Sequence, residues 1–89
     1  MVTGAAASPD GRYLAVLTYL RLYVFERPSD SDDYLSQPVK TIEFDTDVTQ
    51  QCEGVTWDEG HIYFTNEQAE IHRIDGPLSR EVTHYPAKP

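Results

Sequence analysis

Hydrophobic positions in this chain fall in short runs separated by turn residues, and the runs have the length and composition of strands. Val2 to Ala7, "VTGAAA", is small and apolar, as a strand packed closely against its neighbours requires. Ser8-Pro9-Asp10-Gly11 then offers Pro for the fixed φ of a type I turn, Asp next, and Gly for a positive φ, which predicts a hairpin. From Tyr13 to Leu17 every position is apolar, predicting a strand buried on both faces. After Tyr19-Leu20-Arg21 comes "LYVF", Leu22 to Phe25, rich in β-formers and read as a third strand. Val39 to Phe44 mixes Lys40, Ile42 and Phe44 with Val39, Thr41 and Glu43, a pattern that predicts an edge strand open to solvent.

The same order of runs then returns. Shifted by 50 residues, Gly4 falls on Gly54, and after one gap Gly11 falls on Gly60 at a shift of 49. The turn "SPDG" becomes "DEG", Asp58 to Gly60. Tyr13-Leu14 then matches Ile62-Tyr63, Val16 matches Thr65, Leu22 matches Ile71, Phe25-Glu26 matches Ile74-Asp75, and Pro28 matches Pro77. Each copy reads as strand, tight turn, strand, short turn, strand, longer loop and outer strand, the last being Glu81 to Tyr85 in the second copy. The units are expected over residues 1–49 and 50–89. A repeat of this length holding four short antiparallel strands is the unit of a β-propeller, a blade.

On these residues the chain resembles the propeller families. "AAASPDGRYLAVLTYLRLYVFE" is similar to the blade hairpin of WD-repeat and related propellers, in which an "SPDG" turn joins the innermost strand to the second. Glu26 and Asp75 stand where those families often end the third strand with an acidic residue. Neither copy has the WD-repeat's Gly-His or Trp-Asp pair in its place, since Phe25-Glu26 and Ile74-Asp75 stand there, so the looser propellers of bacterial origin are the better comparison. "EGVTWDEGHIYFTNE", Glu53 to Glu67, looks like one of their blade segments. The resemblance implies an all-β fold of two four-stranded antiparallel blades, a partial propeller. Rings close with about 4 to 8 blades. Two blades therefore imply either part of a longer propeller or copies that associate, three of them making six blades.

Composition narrows the function classes. The chain has 89 residues, 39% of them hydrophobic and 25% charged, which predicts one small soluble globular unit. No apolar run approaches the length of a membrane span, and the first residues do not read as a signal peptide; the compartment stays unknown. A net charge of −8 repels a phosphate backbone, so nucleic acid is not an expected partner. The one cysteine, Cys52, has no partner for an internal disulfide and reads as a small buried hydrophobe.

Candidate site residues are Glu53, Asn66 and Glu67. In propellers the innermost strands line a central channel, and ligands sit at its mouth. Glu53 lies just ahead of the innermost strand of the second copy, and Asn66-Glu67 end its second strand, whereas the first copy has neutral Thr3 and Thr18 at those places. The acidic loop "SDSDDY", Ser29 to Tyr34, lacks the spacing and glycine of an EF-hand and reads as a surface connection, as do Asp45 and Asp47. His61, His72 and His84 lack the close spacing of a zinc motif, and no metal site is expected from them; His72 and His84 become neighbours if the last two strands pair. There is no nucleophile elbow and no phosphate-binding glycine loop, so no catalytic residue is assigned. Trp57, Tyr63 and Phe64 read as the packing layer of the blade rather than a ligand platform.

Two functions are consistent with this reading. One is a non-catalytic binding or scaffolding module, contacting a protein or small ligand through the propeller surface and needing no cofactor. The other is part of a metal-dependent propeller hydrolase of the phosphatase or lactonase type, with Glu53 and Glu67 holding Ca²⁺. A thermal midpoint raised by Ca²⁺ and not raised in Glu53→Gln separates the second from the first.

Overall fold

The computed structural model describes residues 2–27, 38–44, 49 and 51–85. The loop Ser29 to Tyr34 and the acids Asp45 and Asp47 lie outside the described residues. Among the described residues there are eight strands: β1 (Val2–Ala7), β2 (Tyr13–Thr18), β3 (Arg21–Glu26), β4 (Pro38–Glu43), β5 (Cys52–Asp58), β6 (His61–Asn66), β7 (Ile71–Ile74) and β8 (Val82–Tyr85). They form two four-stranded antiparallel sheets in simple sequential order, β1-β2-β3-β4 and β5-β6-β7-β8. Both are meanders, so each strand pairs with its neighbour in sequence. No helix among the described residues is long and apolar enough to cross a membrane.

Local chemistry builds the hairpins. In the first, Gly11 N–H donates to the Ser8 carbonyl at 2.9 Å, closing a turn over Pro9 and Asp10, and Gly11 takes φ 73°. The Ser8 hydroxyl donates to Asp10 Oδ1 at 2.6 Å and accepts from Tyr13 N–H at 3.0 Å. That hydroxyl, with the Arg12 N–H, holds the Asp10 carboxyl below the usual carboxylate range. The second hairpin is tighter. Asp58 pairs with His61, and both residues between them, Glu59 and Gly60, have positive φ (50° and 81°), which is a two-residue type I′ turn.

The two sheets share one core. Ala15, Leu17, Leu22, Val24 and Ile42 of the first sheet meet Cys52, Ile62, Phe64 and Ile74 of the second, with Tyr13, Phe44, Val55 and Trp57 packed against them. The closest strands across the interface are β1 and β5, the first strand of each sheet. Trp57 Nε1–H crosses it to donate to the Ala6 carbonyl at 2.8 Å, and the Trp57 ring stacks on Tyr13. The run Tyr13 to Leu17 is not buried on both faces as its composition predicts. Ala15 and Leu17 are fully buried, but Leu14 and Val16 lie half-buried on the face that no second sheet covers.

Registers correct the alignment of the two copies. Each first hairpin carries an irregularity at the same place, between Val2 and Gly4 and between Cys52 and Gly54. Beyond it Ala5 pairs with Val16, and Val55 pairs with Phe64. Val16 therefore corresponds to Phe64 and not to Thr65, because the second turn is shorter than the first by two residues rather than one. A one-residue slip moves every side chain to the other face. Structurally equivalent residues thus lie on opposite sides of the contact: Leu17 is buried in the interface, while its equivalent, Thr65, is exposed on the outer face of the second sheet. The sheets pack head to tail, the front of one on the back of the next.

Lys40 is the unexpected core residue. The mixed pattern of its strand predicts a solvated lysine, and among the described residues β4 is indeed an edge, next to β3. Lys40 faces the second sheet, however, and is only 3% exposed. Its ammonium donates to the Ser79 carbonyl at 2.6 Å, and the neighbouring Arg80 donates to the Thr41 carbonyl at 3.0 Å, so the segment before β8 is tied to β4. Burial, and then the charge of Arg80, push the Lys40 pKa down to about 8. The unfolded chain then binds more protons than the folded one between about pH 8 and the normal lysine value. Stability is expected to rise across that window, by up to about 3 kcal/mol. Urea midpoints of the wild type and Lys40→Met at pH 7.5, 9 and 10 check this, since the methionine variant should lose the rise.

Candidate functional site

The 66–70 turn, which links β6 to β7, organises the polar part of the second sheet. Asn66, 5% exposed, is its hub. The Asn66 amide nitrogen donates to the Thr49 carbonyl at 3.0 Å and to Glu70 Oε1 at 2.8 Å. Its amide oxygen accepts the backbone N–H of Gln68 at 3.0 Å and of Glu70 at 3.1 Å. Two donors and two acceptors are thus all engaged, and Ala69 adopts a positive φ of 61° to close the turn. The Asn66 amide, together with His84, holds the Glu70 carboxyl below the usual carboxylate range.

From that turn Glu70 projects to the imidazoles of the last two strands. His72 of β7 and His84 of β8 are directly opposite each other in the ladder. Their rings stack at 4.7 Å between centroids, with 14° between planes. His84 Nε2 lies 3.1 Å from Glu70 Oε2. On its other side His72 stacks on Phe64 at 4.9 Å, and Phe64 in turn stacks on Phe44 at 5.0 Å. Ligand atoms of Glu70, His72 and His84 all lie within 4.8 Å of one another, and this is the single such cluster of three among the described residues. His72 is fully buried, and neither ring nitrogen has a hydrogen-bond partner among the described residues. Burial, then the nearby His84, push its pKa down, so the ring is held neutral. A cleft of about 160 Å³ opens beside the two rings, walled by Ile42, Glu43, Phe44 and Val82.

Of the residues singled out from the sequence, Asn66 is the hub of this turn, whereas Glu53 and Glu67 lie outside the cluster. Glu53 is exposed in the irregularity between Cys52 and Gly54, and Glu67 is exposed one residue past Asn66, which pairs with Cys52. Both are therefore at one end of the second sheet, the end of the 66–70 turn and opposite the turn at Glu59-Gly60. Glu67 N–H donates to the Gln51 carbonyl at 3.1 Å, and its carboxylate accepts from Gln68 at 3.3 Å. Asn66 is committed to the turn. Cys52 is buried in the core, its thiol 3.6 Å from the Thr49 carbonyl and pushed up to about 11 by burial.

Glu70 is the residue that sequence reasoning missed. The pairing of His72 with His84 follows once the last two strands pair, but Glu70 joins them only because Asn66 turns the chain back. A second cleft, of about 300 Å³, lies at the opposite end between the two hairpin turns, walled by Pro9, Asp10, Tyr13, Trp57, Gly60 and Pro77. Trp57 there serves both packing and cleft wall. No protein-family model and no curated protein sequence matches the chain.

Proposed function

We propose that this chain is a non-catalytic binding module made of two propeller-type blades, which self-associates through its sheet faces. The supporting observation is the head-to-tail packing of its two sheets. The face of the second sheet that is buried carries Val55, Trp57, Ile62, Phe64 and Ile74; its equivalent on the first sheet is the uncovered row Ala5, Ala7, Leu14, Val16 and Phe25. Interfaces joining unlike faces repeat, giving rings when the rotation closes and filaments when it does not. The uncovered row of one copy is matched to the outer face of the second sheet of another, where Thr56, Tyr63, Thr65 and Ile71 occupy the places of Ala6, Ala15, Leu17 and Leu22. That outer face is more polar than the one it resembles, which suits a reversible contact. An apolar sheet face left bare is otherwise an aggregation liability.

Light scattering after size exclusion, over a range of concentrations, tests the reading. The expected mass is a discrete multiple of 10.1 kDa, with three copies completing six blades. Val16→Lys, in the middle of the uncovered row, should reduce that mass to one chain without changing the circular dichroism spectrum. A wild type that stays at one chain at every concentration refutes self-association. Turnover of a phosphate ester or lactone by the purified chain refutes the non-catalytic assignment.

A further inference from the structure

The cluster at the last two strands is placed to do more than pack. We propose that Glu70, His72 and His84 bind one divalent transition-metal ion of the zinc class. Two imidazoles and one carboxylate are borderline ligands of the kind Zn²⁺, Co²⁺ and Ni²⁺ prefer. Glu70 Oε2 and His84 Nε2 are 3.1 Å apart. Around a tetrahedral ion with bonds of about 2.0–2.1 Å, neighbouring ligand atoms are roughly 3.3 Å apart, so the present separation is already of the scale a shared ion requires.

His72 provides the independent observation. A fully buried imidazole with both nitrogens unpartnered is rare, because leaving such groups unsatisfied is costly. Phe64 fixes one face of the ring, and among the described residues neither nitrogen has a hydrogen-bond partner. An ion supplies the missing partner. Stacked rings cannot both aim in-plane lone pairs at one ion, so one must turn. His84 is free to do so, since it sits on the edge strand with about a third of its side chain exposed (34%). Binding therefore exchanges the stack for coordination.

The surrounding chain supports the ligands. Asn66 holds Glu70 Oε1, leaving Oε2 for the ion, which is the outer-shell arrangement that metal carboxylates favour. Three protein ligands leave a fourth position, and the 160 Å³ cleft beside the rings has room for water or a small anion there. The bound ion would tie β8, the edge strand, to β7 and to the 66–70 turn. The first copy has Arg21, Tyr23 and Thr41 at the equivalent places, so the site belongs to the second sheet alone.

The test is titration of the metal-free chain with Zn²⁺ by calorimetry and with Co²⁺ by visible absorption. One equivalent per chain, a four-coordinate Co²⁺ spectrum and a raised thermal midpoint are expected. His72→Phe preserves the stack and removes both nitrogens. It should weaken Zn²⁺ at least tenfold while raising the thermal midpoint of the metal-free protein, a combination that misfolding does not produce. His61→Gln, at the histidine beside Asp75 and outside the cluster, should bind as the wild type does. Absence of saturable binding at millimolar Zn²⁺ overturns the proposal, as does binding that survives His72→Phe or is lost in His61→Gln.

Discussion

Replacing Phe64 by alanine is expected to remove a large share of the chain's stability. Phe64 is the largest fully buried side chain among the described residues, and its ring sits in a column between Phe44, just past β4, and His72 of the second sheet. Truncating a buried phenylalanine costs about 3–5 kcal/mol, part of it from lost transfer energy and part from the cavity left behind. At roughly 0.05–0.15 kcal/mol per residue, a chain of this length has only about 4–13 kcal/mol in all. The loss is concentrated where it does most harm, because Phe64 is also a point of contact between the sheets. Circular dichroism and urea denaturation check it: Phe64→Ala should lower the unfolding free energy by about 3–5 kcal/mol, and Phe64→Leu should show a cooperative transition lowered by about 1.5 kcal/mol. A Phe64→Ala variant with a near wild-type midpoint would show that the sheets hold together without the aromatic column.

The second large effect is expected at Asn66. Asn66→Asp keeps the shape and the two acceptor contacts to Gln68 and Glu70 N–H, but removes the donors to the Thr49 carbonyl and Glu70 Oε1. A buried carboxylate then faces a carbonyl oxygen and a second carboxylate. Leaving buried polar groups unsatisfied and like charges adjacent should cost about 3 kcal/mol at pH 7. The sign of its pH dependence follows. Burial and Glu70 both raise the pKa of the new carboxyl above its unfolded value, so the folded state binds the extra proton first and the deficit shrinks as pH falls through that raised value. Asn66→Ala loses those donors and also the acceptor for the Gln68 and Glu70 N–H groups, but adds no charge, and should show a deficit of about 3 kcal/mol that changes little with pH. Urea midpoints at pH 7 and pH 5 distinguish the two, and equal deficits for Asn66→Asp at both pH values would count against the charge argument.

Both positions bear on the histidine cluster, by different routes. Phe64 backs the ring of His72, whereas Asn66 aims Glu70 at His84. A lysine at Val16 touches neither, because Val16 is on the opposite face of the first sheet. Loss of self-association and loss of metal binding are therefore separable outcomes.

Much of the architecture is local and so was legible in the residues. Ser8-Pro9-Asp10-Gly11 carries its own turn chemistry, Leu22 to Phe25 is a strand by composition, and Val82–Tyr85 pairs as the last outer strand where Glu81 to Tyr85 was expected. Two four-stranded sheets follow from the repeat, since a meander needs only neighbours in sequence to pair. What stayed hidden depends on register and on contacts between distant segments. Whether Val16 matches Thr65 or Phe64 turns on the length of one turn, and hydrophobic pattern alone does not count a gap to one residue. Lys40 looks like an ordinary edge lysine until the Ser79 carbonyl comes within reach.

The chain alone thus determined its strands, its turns and its twofold repetition, because these are set by the preferences of adjacent residues. Only the tertiary structure decided which faces meet, that Lys40 is buried, and that Glu70 joins His72 and His84. Each of those depends on where a side chain ends up after pairing and packing are complete, and a period-two pattern leaves that choice open until a second sheet covers one face.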